Sequence, residues 1–417
     1  MKFSVKGGRR LRGELSVQGA KNSILPILAA CVLCRGEVLL HNCPDLSDVL
    51  SATKILEHLG LKTERKGNDI YIMCGDIKGC EVPQQLMREM RSSVVFLGAI
   101  LSRTGCARVS MPGGCELGPR PIDIHIAALK RLGATIQEEH GELKCNVGKG
   151  LVGTHIALWF PSVGATENTI LASVLAKGTT VITNAAREPE IVDLARFLNS
   201  CGARVRGAGS STVVVEGVPY LSGCEYSIMP DRIAAVTFLA AAAMTGGEII
   251  LRDADRDDIT SVLCCFEQSG CSLLGNRSTI CLKAPERLKS MNIIKTLPYP
   301  GFPTDAQAPM MALAALSQGS TMFVETIFEN RYRHVGELLR MGADIKTEGK
   351  VAVVNGVERL RSAAVFCTDL RGGAALLLAT LSAEGESVLS DIEHIDRGYQ
   401  HIERDLRLLG AEIERCE

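Results

Sequence analysis

Cys115 sits in the run Pro112-Gly113-Gly114-Cys115-Glu116-Leu117-Gly118-Pro119-Arg120-Pro121, too rich in Gly and Pro for a helix or a central strand. A loop of that composition is exposed, and Arg120, five residues on, brings a guanidinium that tunes a nearby thiol. Pro121 suits the first position of a following helix. The chain holds 16 cysteines, and most cysteines are small hydrophobes in a core. Cys115 is the one whose setting fits a reacting group. Cys31-Val32-Leu33-Cys34 has the form of a CxxC, but it lies in an apolar helical pattern with no second ligand pair, so it reads as core packing. The eight histidines form no metal-ligand spacing such as HExxH. Neither a metal nor a cofactor is expected.

The elements that must position such a loop repeat six times. A helix ending in Leu-Gly-Ala or a close variant, followed by a strand, occurs at Gly60, Gly133, Gly202, Gly270, Gly342 and Gly410. Each glycine falls where a helix C-terminus needs the left-handed conformation. A second series, an Ala- and Leu-rich helix, then Gly, then a β-branched strand, interleaves at Gly36, Gly105, Gly178, Gly247, Gly319 and Gly385. Helices such as Phe238-Leu239-Ala240-Ala241-Ala242-Ala243 are apolar nearly all round and belong inside, with sheets around them. Six α/β units in 417 residues give two domains of three units, with the boundary near Met229-Pro230.

Each buried helix starts on polar residues: Lys21-Asn22, Arg91-Ser92, Ser162-Val163-Gly164, Asp231-Arg232, Thr304-Asp305 and Asp369-Leu370-Arg371. Ser, Thr, Asp and Asn there are explained by N-capping. Lys21, Arg91 and Arg371 are not, because cations oppose the positive end of the helix dipole. An anion held between cations and helix N-termini reconciles the two. Were these ends to face one another, they would form an anion trap.

Composition narrows the anion. Lys+Arg of 46 against Asp+Glu of 47 leaves a net charge of −1, with 4% aromatic residues. A nucleic-acid partner would need a basic field and stacking platforms, so none is expected. The apolar run Ile24 to Leu33 is too short to span a bilayer, and Met1 to Gly7 has no signal-peptide pattern. The expectation is a cytoplasmic protein with reduced thiols, no membrane partner and a monomeric state. Glu403, Arg404, Asp405 and Arg407 read as a solvated helix face.

With these features, the chain resembles the UDP-N-acetylglucosamine enolpyruvyl transferases from end to end. The segments that carry the resemblance include Gly19-Ala20-Lys21-Asn22, the Gly-Gly-Cys loop, Arg120-Pro121-Ile122-Asp123-Ile124-His125 and Ser162-Val163-Gly164-Ala165-Thr166-Glu167-Asn168. Phe302-Pro303-Thr304-Asp305, Phe328-Glu329-Asn330-Arg331, Thr368-Asp369-Leu370-Arg371 and His394-Ile395-Asp396-Arg397-Gly398-Tyr399 extend it. The resemblance implies an α/β fold of two inside-out α/β barrel domains, each of three repeats with buried helices and outer sheets. Residues 21–229 would form the domain carrying the Cys115 loop, and 1–20 would join 230–417.

It further implies transfer of the enolpyruvyl group of phosphoenolpyruvate to the 3′-hydroxyl of UDP-N-acetylglucosamine, with release of phosphate through a tetrahedral intermediate. Lys21, Asn22, Arg120, Arg371 and Arg397 would hold phosphoenolpyruvate, guanidiniums suiting both its phosphate and its carboxylate. Asp305 would be the base for the hydroxyl, and Cys115 the acid for the methylene carbon or a covalent partner of phosphoenolpyruvate. Arg91, Arg120, Pro121, Ile122, Asp123, Ile124, Ser162, Val163, Gly164, Asp305 and Ile327 would line the nucleotide sugar, with Arg232, Arg331 and Asp369 in support. Some family members carry a lysine where this chain has Phe160-Pro161. A transferase acting on shikimate phosphate lacks the Gly-Gly-Cys loop, and a non-catalytic UDP-sugar sensor would have lost Lys21, Cys115, Arg120, Asp305, Arg371 and Arg397. All six are present.

Overall fold

The computed structural model describes residues 1–90, 93–110 and 122–417. Arg91, Cys115, Arg120 and Pro121 lie outside the described residues. The chain divides into two compact units. One comprises Met1–Gln18 and Pro230–Glu417, the other the described residues of Gly19–Cys115 and Pro119–Met229.

Among the described residues, six sheets share one four-strand order, three to a unit, and the sheet built on Cys34–His41 adds a fifth strand, Glu225–Ser227. An edge strand runs parallel to its neighbour, which pairs antiparallel with a third, and the third with a fourth. In the sheet built on Ser320–Val324, the neighbours are Ile293–Lys295 in parallel, then Val351–Asn355 and Asp344–Glu348. The N-terminal segment supplies strands to two sheets of the C-terminal unit. Lys2–Gly7 pairs with Gly385–Ser390 and Glu412–Cys416, and Arg12–Ser16 with Glu248–Arg252. That pairing places residues 1–18 with the C-terminal half.

Each unit encloses its apolar helices. Every residue of Arg232–Met244 except Arg232 is buried, as are Arg371 to Leu381 in the helix Leu370–Ser382. Each unit therefore closes around its own hydrophobic core. The glycines after the outer helices (60, 133, 202, 270, 342 and 410) all have φ between 89° and 102°, the left-handed region in which a side chain is strained.

Three details differ from the sequence reading. Cys80 and Cys106 form a disulfide, so the thiols are not all reduced; nothing in their spacing marks the pair, which fold-level pairing brings together. Cys34 opens the strand Cys34–His41 instead of continuing the helix Lys21–Cys31, although both CxxC cysteines are buried as core. Glu403 is buried, not solvated, because Arg415 donates to both its oxygens at 3.1 Å.

Candidate active site

In the C-terminal unit three buried helices are joined by one polar network. Asp305 lies in the single turn Thr304–Ala306 that leads into the helix Gln307–Ala314. Arg331 donates to Asp305 Oδ1 at 2.8 Å and to the Thr304 carbonyl at 3.0 Å. Arg371, second residue of its helix, donates to Asp305 Oδ2 at 3.2 Å and to the Tyr399 hydroxyl at 3.0 Å. Tyr399 in turn meets Thr237 Oγ1, on the third helix, at 2.9 Å. Each oxygen of Asp305 thus faces a guanidinium whose side chain is 3% exposed, while Asp305 keeps 27% exposure. The carboxylate is oriented from beneath and reachable from outside.

The helix ends themselves are capped. Asp369 accepts from the Arg371 and Gly372 N–H groups at 3.0 and 2.9 Å, and Asp231 from Ile233 and Ala234 at 2.9 and 3.0 Å. Burial alone would raise the Asp369 carboxyl, but the Arg331 charge and the Gly372 N–H hold it below its ordinary value. For Arg371, burial disfavours the charge, yet Tyr399, Asp305 and Asp231 outweigh it and raise its pKa. Both Arg331 and Arg371 retain a buried Nε with no hydrogen-bond partner among the described residues. A guanidinium has five donors, so Arg371 can still take an anion.

Glu325 was not anticipated. Its buried carboxylate accepts from Thr304 Oγ1 and Thr296 Oγ1 at 3.0 Å each, and from the Ile327 and Phe328 N–H groups at 2.8 and 3.0 Å. It fixes the turn bearing half-buried Ile327 against the residue preceding Asp305. His334 was also missed: fully buried, it has no partner for either ring nitrogen among the described residues, and burial lowers its pKa to about 4. Its Cβ would lie 3.0 Å from a Cβ added at Gly372, so it packs against the first turn of the Arg371 helix. Glu325 lies 21 residues from Thr304, and a lone acid at the end of an alternating strand gives no signal of such a partner. Arg397 follows the short helix Glu393–Asp396 and is half-buried; Arg232 opens its helix with its guanidinium 5.7 Å from the Tyr299 ring centre.

The N-terminal unit presents its own helix starts. Lys21 is the first residue of the helix Lys21–Cys31, nearly buried, with Nζ 2.9 Å from Asp48 Oδ2; Asn22 follows it, half-buried. Asp48, 2% exposed, is a partner the sequence did not reveal. Ser162 caps the helix Val163–Ser173 by accepting from Ala165 N at 3.3 Å. Ile122 precedes the helix Asp123–Arg131, which thus starts two residues beyond Pro121; Asp123 is exposed and Ile124 buried. A Cβ at Gly164 would come within 3.1 Å of the His125 ring, so glycine lets these two helix starts approach. His125 Nδ1 meets Asn168 Nδ2 at 2.9 Å, and Asn168 accepts from Gly98 N at 2.7 Å, tying in the helix Phe96–Thr104. Among the described residues, no group of three or more His, Cys, Asp or Glu side chains could hold a metal, and no helix is long and apolar enough to cross a membrane.

Residues 5–406 match the family model of EPSP synthase (3-phosphoshikimate 1-carboxyvinyltransferase). UDP-N-acetylglucosamine 1-carboxyvinyltransferase 2 of Caldanaerobacter subterraneus subsp. tengcongensis is 50% identical over 414 residues, 99% of each chain. UDP-N-acetylglucosamine 1-carboxyvinyltransferase 1 of Symbiobacterium thermophilum is 51% identical over 419 residues, covering 99% of this chain and 95% of that protein. The chain belongs to the UDP-N-acetylglucosamine 1-carboxyvinyltransferase family. Its fold is that of the enolpyruvyl transferases. The enolpyruvyl transferase NikO of Streptomyces tendae superposes with a TM-score of 0.88 at 23% identity, over 99% of this chain and 98% of that one. An EPSP synthase of Acinetobacter baumannii gives 0.77 at 20% identity, over 99% and 100%.

Proposed function

We propose that this enzyme transfers the enolpyruvyl group of phosphoenolpyruvate to the 3′-hydroxyl of UDP-N-acetylglucosamine and releases phosphate, the first committed step of peptidoglycan synthesis. The observation that carries the reading is identity near 50% along the whole chain to relatives bearing that name, joined to the presence of Lys21, Cys115, Arg120, Asp305, Arg371 and Arg397.

Phosphoenolpyruvate carries a phosphate and a carboxylate, and Lys21, Asn22, Arg120, Arg371 and Arg397 are assigned to them. Asp305, held by Arg331 and Arg371, takes the proton of the 3′-hydroxyl as the oxygen adds to the substituted carbon of phosphoenolpyruvate. Cys115 gives a proton to the methylene carbon. The tetrahedral adduct then loses a proton and phosphate, with cleavage of the C–O bond. Arg91, Arg120, Pro121, Ile122, Asp123, Ile124, Ser162, Val163, Gly164 and Ile327 bind the nucleotide sugar, the N–H groups after Ser162 suiting its phosphates. Arg232, Arg331 and Asp369 support the reacting groups. A monomeric state and a cytoplasmic location are part of the same proposal.

Phosphate release from phosphoenolpyruvate, measured with UDP-N-acetylglucosamine and separately with shikimate 3-phosphate, tests the reading. Turnover with the first acceptor alone is expected. Turnover with the second, or with neither, refutes it.

A further inference from the structure

The helix Lys21–Cys31, whose first residue is assigned to phosphoenolpyruvate, has alanine at its N-cap. Ala20 offers no side-chain acceptor, so this helix start lacks the local hydrogen bond that Ser162, Asp231 and Asp369 give to theirs. Its support comes from a distant part of the chain. Ser23, fully buried in the first turn, donates its hydroxyl to Asp193 Oδ2. Asp193 belongs to the helix Pro189–Ser200 and is 3% exposed. The Met229 N–H donates to the same oxygen at 3.2 Å, and the Met229 carbonyl accepts from the Ala20 N–H at 2.8 Å. The Tyr226 hydroxyl donates to Asp193 Oδ1 at 2.6 Å, and its ring meets Phe197 of the same helix edge-on, with centres 5.5 Å apart. One carboxylate thus ties the chain on both sides of Lys21: Ser23 directly, and Ala20 through Met229. Gly19 and Met229 are the first and last residues of the N-terminal unit, so Asp193 gathers the segments by which the chain enters and leaves it.

We propose that Asp193 is a positioning residue for phosphoenolpyruvate binding, setting through Ser23 and Met229 the helix start from which Lys21 reaches the anion. The proposal rests on the reading of Lys21 as a phosphoenolpyruvate ligand and goes beyond it by naming what holds that ligand's backbone. The Lys21 ammonium has a separate anchor in Asp48, 2.9 Å away, so side chain and backbone are fixed by different acids. Stability alone is a poor account of Asp193. Burial raises its carboxyl above the ordinary range, against the pull of Ser23, Tyr226 and the Met229 N–H. Apolar packing of similar volume often stabilises a fold as well as a buried charge does. What apolar packing does not supply is a fixed direction for three donors, two of which border the Lys21 helix start.

Kinetics on full-length variants test this. Ser23→Ala and Asp193→Asn should each raise KM for phosphoenolpyruvate about tenfold, the low end for a hydrogen bond to a charged group. KM for UDP-N-acetylglucosamine should stay unchanged, a split that general loosening of the fold would not produce. Ser23→Thr, which keeps the hydroxyl, should restore most of the loss. Because Asp193 acts through Lys21, Ser23→Ala made in Lys21→Ala should change KM for phosphoenolpyruvate by less than about twofold. Calorimetric titration with phosphoenolpyruvate alone needs no turnover and should show the same order of losses. Should Asp193→Asn fail to fold, the Ser23 and Lys21 variants carry the test. Both KM values rising alike, neither rising, or the full rise persisting without Lys21 overturns the proposal, even while turnover by the parent enzyme upholds the enzymatic reading. Lys21→Ala with unchanged KM and affinity for phosphoenolpyruvate refutes the assignment of Lys21 and this proposal with it. Selective loss of phosphoenolpyruvate affinity in an enzyme without turnover supports the positioning and refutes the enzymatic reading instead.

Discussion

Replacing Asp305 separates its chemistry from its place in the structure. In Asp305→Ala, two guanidiniums that are each 3% exposed lose the carboxylate they share. Removing one partner of a buried pair costs about 3–5 kcal/mol, because the remaining charge stays out of water. Asp305 is itself 27% exposed, which favours the lower end. At roughly 2–4 °C per kcal/mol for a domain of this size, a fall of about 10 °C in melting temperature is expected. Asp305→Asn keeps one carbonyl acceptor but turns an amide NH2 toward the other guanidinium, so its loss should be roughly half as large. Turnover should behave differently. Neither variant carries a base, so both should lose about 10²–10⁴ in kcat, while each still binds UDP-N-acetylglucosamine. Calorimetry, single-turnover kinetics and ligand titration on the same preparations give the three quantities. If Asp305→Asn keeps near-normal kcat, or if kcat follows melting temperature across the two variants, Asp305 only clasps the arginines.

Three further outcomes follow from the same geometry and chemistry. An epoxide phosphonate resembling phosphoenolpyruvate should alkylate Cys115 alone among the 16 cysteines, and faster with UDP-N-acetylglucosamine present; Cys115→Ser should lose labelling and most turnover, and Cys115→Asp should lose labelling but keep some turnover, as peptide mass spectrometry and kinetics will show. Lys21→Ala should raise KM for phosphoenolpyruvate and, by leaving Asp48 buried beside a lost partner at 2.9 Å, cost about 3 kcal/mol in denaturant unfolding. His334, at about 4 when folded against roughly 6.5 unfolded, takes up a proton on unfolding between those values. Its contribution is therefore complete above pH 6.5 and is lost as pH falls toward 4, by about 3 kcal/mol, and His334→Phe should flatten that limb of the stability–pH curve.

What the sequence made legible was local. The six glycines that follow the outer helices mark helix ends because a left-handed C-terminus admits few other residues, and apolar helices such as Arg232–Met244 identify themselves as interior. Asp305 and Arg371 were singled out from the helix starts and the family motifs, but their contact was not, since 66 residues separate them. The same holds for Arg331 below Asp305, for Glu325 below Ile327, and for Asp48 beside Lys21: each pairing comes from the packing of repeats, not from spacing. The Cys80–Cys106 bridge and the burial of Glu403 against Arg415 were misread for that reason. A charge run on a helix says nothing of an arginine on a strand that folds back across it.

The central claim is enolpyruvyl transfer to UDP-N-acetylglucosamine by C–O cleavage. Phosphoenolpyruvate labelled with heavy oxygen at the bridge between carbon and phosphorus tests it most directly, with phosphate and nucleotide sugar both analysed by mass spectrometry. The account predicts that released phosphate carries the label and that UDP-N-acetylglucosamine gains one enolpyruvyl group. Label retained in pyruvate, with the nucleotide sugar unchanged, would contradict it.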